Sequence, residues 1–210
     1  MYDLEEQEQI DALKAWWRQN SRLVVVAVVA AIAAAAAVSG WRYYRETQAA
    51  HASALYATLE KAVRAKDTKQ IKEVATQLID KYGGTAYAPM AALAAAKADF
   101  DAGDLAAASR QLQWAAEHGR DDEVRAVAQL RLAGVRLDEK KYDEALKLLD
   151  AKHPDAFAGM YADTRGDALV ALGKSAEAKA AYKLALEKLP PQSSFRLLVQ
   201  LKLDGLGDSK

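Results

Sequence analysis

The stretch LVALGKSAEAKAAYKLALEKLP, residues 169–190, shows how most of this chain folds. Its apolar and small residues recur every three or four positions, which is typical of one face of an α-helix. Gly173-Lys174 interrupts this pattern and predicts a turn between two helices. After the turn, Ala178 and Tyr182 place a small and a large residue one helical turn apart. Because two helices approach closely where small residues face each other, and a large residue fills the gap beside them, we expect a helical hairpin.

Two further segments repeat this arrangement, FDAGDLAAASRQLQWA at 100–115 and LDEKKYDEALKLLDAK at 137–152. When the three segments are aligned on their turns, alanines separated by 37 and 33 residues fall in register: Ala108, Ala145 and Ala178. Four residues later, each segment has a large residue: Leu112, Leu149 and Tyr182. A hairpin that recurs in this way predicts a solenoid, in which each hairpin covers the apolar face of the one before it.

The third segment resembles a tetratricopeptide repeat. A small residue of its first helix is followed by a small, an aromatic and a small residue in its second helix, and by a final proline: Gly166, Ala178, Tyr182, Ala185 and Pro190. The first two segments match less closely, because Ala96 stands where glycine is common and Lys152 where a small residue is expected. The resemblance implies an all-α fold, a tetratricopeptide-repeat-like solenoid of α-hairpins.

The helical pattern extends over residues 46–210, which we expect to form one repeat domain. Residues 51–82 predict a further, degenerate hairpin, whose second helix Asp67 caps through the spacing Asp67-x-x-Gln70. The tail from 193 to 203 predicts an amphipathic C-terminal capping helix, with apolar residues at Phe195, Leu197, Leu198 and Leu201.

An apolar run of 19 residues without a charge, Leu23 to Trp41, precedes the repeats. As a helix it would be about 28 Å long, close to the roughly 30 Å hydrocarbon thickness of a bilayer. Arg22 and Arg42 bound the run, and aromatic residues that favour the membrane interface flank both ends: Trp16, Trp17, Trp41, Tyr43 and Tyr44. We therefore predict a single transmembrane helix over residues 22–45, preceded by an amphipathic N-terminal segment, 1–21.

Two alternative interpretations of the run stay open at this point. Ala37-Val38-Ser39 is typical of a signal-peptidase site, which would make the run a cleaved signal peptide. The run is, however, longer than the roughly 7–15 apolar residues of such a peptide, and the segment before it is acidic. The run could also be a buried core helix, although core helices are rarely apolar around their whole circumference. The balance favours a permanent anchor.

Basic residues beside the run favour one orientation in the membrane. Three precede it and two follow it within a short window: Lys14, Arg18, Arg22, Arg42 and Arg45. Positive flanks stay in the cytoplasm, and large domains cross regardless of their charge. We therefore expect a cytoplasmic N-terminus and a repeat domain on the other side of the membrane.

The composition excludes several classes of function. The formal net charge is +0, and of 29 acidic and 29 basic residues five of each precede residue 46, which leaves 24 of each in the repeat domain. This balance provides no basic surface for nucleic acid, so no nucleic-acid partner is expected. The chain contains no cysteine, which excludes disulfides, thiol catalysis, cysteine-ligated zinc and lipidation at cysteine.

Residues that could carry chemistry form no recognisable site. His51, His118 and His153 lie far apart and share no metal-ligand spacing. The sequence has no nucleophile elbow, phosphate-binding loop or zinc-protease motif. We predict no catalytic, cofactor-binding or metal-binding residue, no cofactor, and no enzymatic activity.

Other conspicuous residues have structural interpretations. Gly166 of the adhesion-like tripeptide 165–167 occupies the small position of a helix, and Asp121-Asp122 fits a helix cap and first turn. The charged stretch 138–141 predicts a solvated turn between helices. Trp114 lies close to the packing position of Leu112, which favours a place in the core over a binding platform.

Three motifs occur within this organisation: IDALKAWWRQN at 10–20, GWRYYRE at 40–46 and RGDALVALG at 165–173. Together with the acidic start and the apolar run, they resemble the YfgM family, the ancillary subunits of the SecYEG translocon, over nearly the whole chain. The resemblance implies a single-span protein of a Gram-negative inner membrane, with its repeat domain in the periplasm. It also implies the partners: the bilayer, the SecYEG translocon, a membrane-anchored periplasmic chaperone of the PpiD-like kind, and translocating polypeptides.

The sequence thus favours a non-catalytic interaction protein, whose hairpins offer a curved surface to a partner or an emerging chain. One alternative keeps the fold and changes the partner to another envelope process, such as cytochrome maturation or cell division. Another alternative, an enzyme, would need a constellation of polar residues inside the curved surface.

Overall fold

The computed structural model describes the backbone of residues 2–207 and the side chains of residues 7–207. Within these ranges the chain is helical and contains no β-strand, which confirms the predicted all-α class. The helices are α1 (Tyr2–Ala65), α2 (Thr68–Tyr82), α3 (Tyr87–Asp101), α4 (Leu105–His118), α5 (Asp122–Asp138), α6 (Tyr142–Leu149), α7 (Ala158–Ala171), α8 (Ser175–Lys188) and α9 (Phe195–Gly205). A short 3-10 turn, Asp155–Phe157, precedes α7.

The chain divides into two compact units, Met1–Gln48 and Ala49–Lys210. Helix α1 begins in the first unit and ends in the second, so the apolar run and the first helix of the repeats belong to one continuous helix. Within the first unit the run is long and apolar enough to cross a membrane by length and composition. Nearly all of its large side chains are exposed, from Leu23 to Trp41, so it is not a core helix of the described structure. The predicted boundary between residues 45 and 46 stays a prediction.

The second unit is built from hairpins that stack in chain order. The end of α1 packs on α2, and the next three hairpins are α3–α4, α5–α6 and α7–α8. Consecutive hairpins also contact each other, and α9 packs on α8. The buried apolar residues of this unit are mostly alanine, which lets the helices approach closely.

Four hairpin turns share one backbone conformation. Each contains one residue in the left-handed region, with φ between 56° and 80°: Lys66, Gly103, Lys140 and Gly173. The N–H of this residue donates to the carbonyl three residues back, and the next N–H donates to the carbonyl five residues back, as in a Schellman helix end. In the first turn Asp67 also caps α2, as predicted, by accepting from the Gln70 N–H at 3.0 Å. The degenerate first hairpin is therefore in register with the other three.

Each hairpin pairs a position seven residues before its left-handed residue with a position nine residues after it. In three hairpins the first residue is small and the second is large, as predicted, whereas the first hairpin has the sizes reversed. The four pairs are Leu59 with Ala75, Ala96 with Leu112, Ala133 with Leu149, and Gly166 with Tyr182. In the first hairpin the leucine comes first and the alanine second, so the pair has the same combined volume as the alanine–leucine pairs. Its sequence does not show the small-then-large order that identified the other hairpins.

The departure at Lys152 has a structural reason. Helix α6 spans only 8 residues, whereas α2, α4 and α8 span 14 or 15. Lys152 therefore lies beyond the end of α6, where no helix requires a small residue.

A buried tyrosine links α7 to α5. The Tyr161 hydroxyl donates to the Ala126 carbonyl at 2.9 Å. Burial raises the pKa of Tyr161 to about 12.

The predicted amphipathic helix is present as α9, but the four apolar residues named for it do not form its packing face. The four apolar residues that predicted it are between 50% and 71% exposed: Phe195, Leu197, Leu198 and Leu201. The residues that pack inward are Val199, which is buried, and the partly buried Leu203 and Leu206. Polar contacts complete the attachment of α9, because Arg196 donates to the carbonyls of Leu186 and Leu189.

Candidate binding groove

The first helices of successive hairpins lie side by side, because α3 contacts α5 and α5 contacts α7. Two hollows open along these helices. The first, of about 670 Å³, lies mainly between the end of α1, α2 and α3. The second, of about 460 Å³, lies between α3, α4, α5 and α7. We call the two hollows together the groove. Each is of a size that accommodates large side chains of a partner.

Apolar side chains line much of both hollows. Three of them are large and more than a third exposed, Val63 and Met90 at the first hollow and Phe100 at the second. Leu93 and Ala94 lie deeper in the first hollow and are partly buried. Exposed apolar surface in a concave site is available to the apolar side chains of a partner.

Two cationic residues, Lys97 and Arg131, border both hollows. The Lys97 ammonium donates to the Asp101 carboxylate at 2.9 Å, so its charge is matched within α3. Arg131 is exposed on α5 and makes no ion pair or hydrogen bond with any residue that the structure describes. Lys66 borders the first hollow alone and is likewise exposed and unpaired among the described residues. Arg131 is therefore the unpaired cationic side chain that borders both hollows.

Asp167, which lines the second hollow, belongs to a partly buried charge cluster. Lys202 of α9 donates to Asp163 at 2.9 Å and to Asp167 at 2.8 Å, and the Tyr182 hydroxyl donates to Asp167 at 2.8 Å. Burial disfavours the Lys202 cation, but the hydrogen bonds to both carboxylates outweigh it and raise the pKa of Lys202. Burial also raises the pKa of Asp163, against the opposing effect of Lys202. Asp167 is thus already paired and offers little charge to a ligand.

The turn at 138–141 joins α5 to α6 and is largely exposed, as predicted, but its Glu139 is partly buried. Glu139 is 17% exposed and accepts from Arg136, which is 16% exposed, at 2.8 Å. Arg136 also donates to Ser109 of α4 at 2.7 Å and pairs with Glu144 of α6 at 2.9 Å. Burial disfavours the Glu139 carboxylate, but hydrogen bonds from Lys141 and Arg136 outweigh it and lower the pKa of Glu139. This cluster joins three helices and lies outside the groove.

The three histidines lie apart, and none of them borders either hollow. The His118 ring stacks on Trp114 at the end of α4, with centroids 4.4 Å apart. The His153 ring lies 4.0 Å from the Tyr161 ring, and His51 is exposed on α1. Among the described residues no group of three or more histidine, cysteine or carboxylate side chains could hold a metal ion.

The remaining conspicuous residues have structural roles. Gly166 is buried, and a Cβ added to it would overlap the Tyr182 ring, so the tripeptide 165–167 is part of the hairpin packing. Asp121 occupies the N-cap position of α5 without a side-chain cap bond, and Asp122 pairs with Arg125. Trp114 is partly buried against an alanine cluster, in agreement with a packing role.

A family model described as a tetratricopeptide repeat-like domain matches residues 14–208. Three relatives are each named "Ancillary SecYEG translocon subunit". The protein from Neisseria gonorrhoeae is 33% identical, over 97% of this chain and 98% of the relative. This chain belongs to that family. The family member from Haemophilus influenzae is 32% identical, over 98% of this chain and 99% of the relative. The one from Escherichia coli is 29% identical, over 96% of each chain.

Membership of the ancillary-subunit family confirms the resemblance inferred from the three motifs. The match covers the apolar run as well as the repeats, since it begins at residue 14. The groove residues of this family member were not predicted from its sequence: Met90, Lys97, Phe100 and Arg131. The first-helix pattern places such residues on α3 and α5, but it does not say which of them are exposed. Which of them are exposed depends on how the helices pack against each other, and a single sequence does not contain that information.

Proposed function

We propose that this protein is a non-catalytic, membrane-anchored interaction subunit that works beside the SecYEG translocon. The observation that carries the proposal is the likeness to ancillary translocon subunits, which extends over 96–98% of the chain. Because the likeness covers both the apolar helix and the repeats, it supports a shared architecture as well as a shared fold. The anchor would hold the repeats close to the exit of the translocon, and the groove would bind polypeptide there.

The proposed location is the bacterial inner membrane, with a single pass of the chain, residues 1–21 in the cytoplasm and residues 46–210 in the periplasm. An exposed apolar run with aromatic residues at both ends supports an anchor. The excess of basic residues before the run supports the orientation. The family name supports a membrane location, because the relatives are named as subunits of a translocon.

The groove supports a role in holding polypeptide. Its apolar hollows are formed by rigid helices, so an extended chain can bind without first ordering the site. We propose that newly translocated polypeptides occupy it, and that a membrane-anchored periplasmic chaperone of the PpiD-like kind acts on the same chains. Enzymatic activity is not part of the proposal, since three charged side chains that line the groove are engaged in structural pairs. Lys97 and Asp101 pair with each other, and Asp167 pairs with Lys202, which lies outside the groove.

Co-purification tests the translocon partnership. The full chain, tagged at its C-terminus, is extracted from membranes in mild detergent and the recovered SecY, SecE and SecG are quantified. An unrelated single-span protein with the same tag and expression level is the matched control. We expect recovery of the translocon with this chain to exceed that control at least severalfold. Equal recovery with both baits would contradict the proposal.

Crosslinking tests the groove itself. A photoreactive phenylalanine analogue is placed at Phe100, in the groove, and at Gln113, which is exposed on α4 and borders neither hollow of the groove. Illumination during protein export should give adducts to translocating polypeptides from position 100 and few from position 113. Adducts of equal yield from the two positions would exclude the groove as the binding surface, without touching the translocon partnership.

A further inference from the structure

We propose that the groove selects extended segments in which an acidic side chain lies between two apolar ones, with the carboxylate bound by Arg131. The inference rests on the proposed function, because it specifies which polypeptides the groove would bind. It names a chemical class of partner that the likeness to translocon subunits does not supply. The side chain that carries it is Arg131, since this residue borders both hollows and is unpaired among the described residues.

The charges around Arg131 favour an anionic ligand group. Lys97 and Arg131 border both hollows, and we call these two residues the ridge between them. Asp101 already matches the charge of Lys97 at 2.9 Å. At the second hollow, Asp167 is paired with Lys202 and Tyr182. Two other charged side chains of the groove are unpaired among the described residues. Lys66 borders the first hollow only, and Asp138 is two turns along α5 from Arg131, about 10 Å at the rise of an α-helix. The ridge itself is therefore left with one uncompensated positive charge.

A guanidinium is suited to this role. It presents a planar set of donors that matches both oxygens of a carboxylate, and its charge persists at every pH in cells. A glutamate or aspartate of a bound chain would complete the pairing that the protein leaves open at Arg131. An uncharged segment would leave the guanidinium without a partner beside two apolar hollows.

The positions of the hollows define the pattern of the ligand. They lie on either side of the ridge, and both have exposed apolar walls, with Met90 at one and Phe100 at the other. In an extended chain the side chains at i, i+2 and i+4 point to the same side and are roughly 6.6 Å apart. An acidic residue at the ridge therefore places the side chains two residues before and two residues after it in the hollows. The recognised pattern is apolar-x-acidic-x-apolar.

Three labelled peptides test the pattern: SGFAEALGS, SGFAQALGS and SGFAKALGS. Their affinities for the full chain in lipid nanodiscs are measured by fluorescence anisotropy, with empty nanodiscs as the background. We expect the glutamate peptide to bind about threefold to fivefold more tightly than the glutamine peptide, the range of an exposed ion pair, and more tightly still than the lysine peptide. R131Q should remove this preference and R131E should reverse it. R110Q is the matched control, because Arg110 is exposed on α4 and borders neither hollow.

The outcomes separate this inference from the function on which it rests. A94R fills the first hollow, and its helical content is checked by circular dichroism. If the three peptides bind the wild type equally well, the proposed selectivity is overturned. If A94R also abolishes their binding, the groove is still the site that binds polypeptide. A glutamate preference that survives R131Q also overturns the inference. If no peptide binds, or A94R changes nothing, the inference and the polypeptide-binding part of the proposed function both fail, whereas the co-purification still reports on the translocon partnership.

Discussion

At the scale of single residues, the close packing of α7 against α8 depends on the absence of a side chain at Gly166. Gly166 lies against the Tyr182 ring, and a Cβ added there would overlap that ring. Gly134 lies within α5, and a Cβ added there would meet nothing within 4 Å. The two glycines thus have the same helical backbone and opposite surroundings, which makes them a matched pair.

We expect G166A to lower the free energy of unfolding by about 1–3 kcal/mol, because α7 and α8 must separate to admit the methyl group. G134A should raise it by about 0.5–1 kcal/mol, since alanine is the better helix former. Urea unfolding of the full chain in detergent, followed by circular dichroism, measures both. A stabilising G166A would show that the hairpin is not closed by this contact.

The four hairpin turns give a second residue-scale prediction. Lys140 and Gly103 occupy equivalent left-handed positions, with φ of 60° and 80°. A side chain in this region costs roughly 1–2 kcal/mol, part of which glycine loses again through the entropy of the unfolded chain. We expect K140G to stabilise and G103A to destabilise the protein, each by about 0.5–1 kcal/mol. Equal signs in the same unfolding assay would show that the turns are not equivalent.

Some of these residues had roles that the sequence predicted, and others had roles that only the structure showed. Gly166 and Tyr182 were placed correctly, because the size pattern of a hairpin is a local property of the chain. Lys66 and Lys140 were not identified as left-handed, since lysine gives no sign of it and only the register with Gly103 and Gly173 reveals their role. Arg131 was not singled out, because the sequence does not show that it borders both hollows and lacks an acidic partner among the described residues.

At the scale of elements, α9 is held by a few polar contacts and a narrow apolar face. Lys202 lies between Asp163 and Asp167, and Val199 is its buried apolar residue. The sequence predicted a closing helix here because its apolar pattern was clear. It could not predict the packing face, since the exposed leucines and Val199 are equally apolar and only the position of α8 and the charges of α7 distinguish them.

We expect K202M to loosen α9 by about 1–2 kcal/mol, less than for a fully buried pair because Lys202 and its partners are partly exposed. Hydrogen exchange of amides 195–205 in the full chain, relative to the wild type, measures this effect, while α3 and α4 should be unchanged. K188M is the control, since Lys188 pairs with its exposed neighbour Glu187 and with no other residue in the described part of the chain. Unchanged exchange in α9 would show that Lys202 does not fasten it.

The same variant should have a pH dependence of known sign. Burial already raises the pKa of Asp163, and the loss of Lys202 removes the group that opposed this rise. A carboxyl whose pKa is raised by folding binds its proton more tightly in the folded state, so the variant gains stability as the pH falls. The difference in exchange between K202M and the wild type, corrected for intrinsic rates, should therefore shrink from pH 8 to pH 5. A difference that grows in acid would contradict this assignment.

At the scale of the whole molecule, one helix joins the apolar run to the repeats. The sequence predicted the run and the first hairpin as separate features, because one pattern is apolar all round and the other is amphipathic. Between them lies an aromatic and basic cluster, including Trp41 and Tyr44, whose rings are 6.1 Å apart. No glycine–proline or other strong helix stop occurs there, so the helix continues through it. The pattern of a sequence predicts the elements more reliably than the joints between them.

The absence of cysteine from the chain makes the orientation of the whole molecule directly measurable. A single cysteine introduced as Q9C reports on the N-terminal segment, and one introduced as Q192C reports on an exposed loop between α8 and α9. In spheroplasts a membrane-impermeant maleimide should label Q192C at once and Q9C only after lysis, because the basic flank before the run retains the N-terminus in the cytoplasm. Labelling of Q9C in intact spheroplasts, with protection of Q192C, would reverse the proposed orientation. Loss of residues 1–39 from the Q192C product would instead identify the run as a cleaved signal peptide, since the predicted cut follows Ser39.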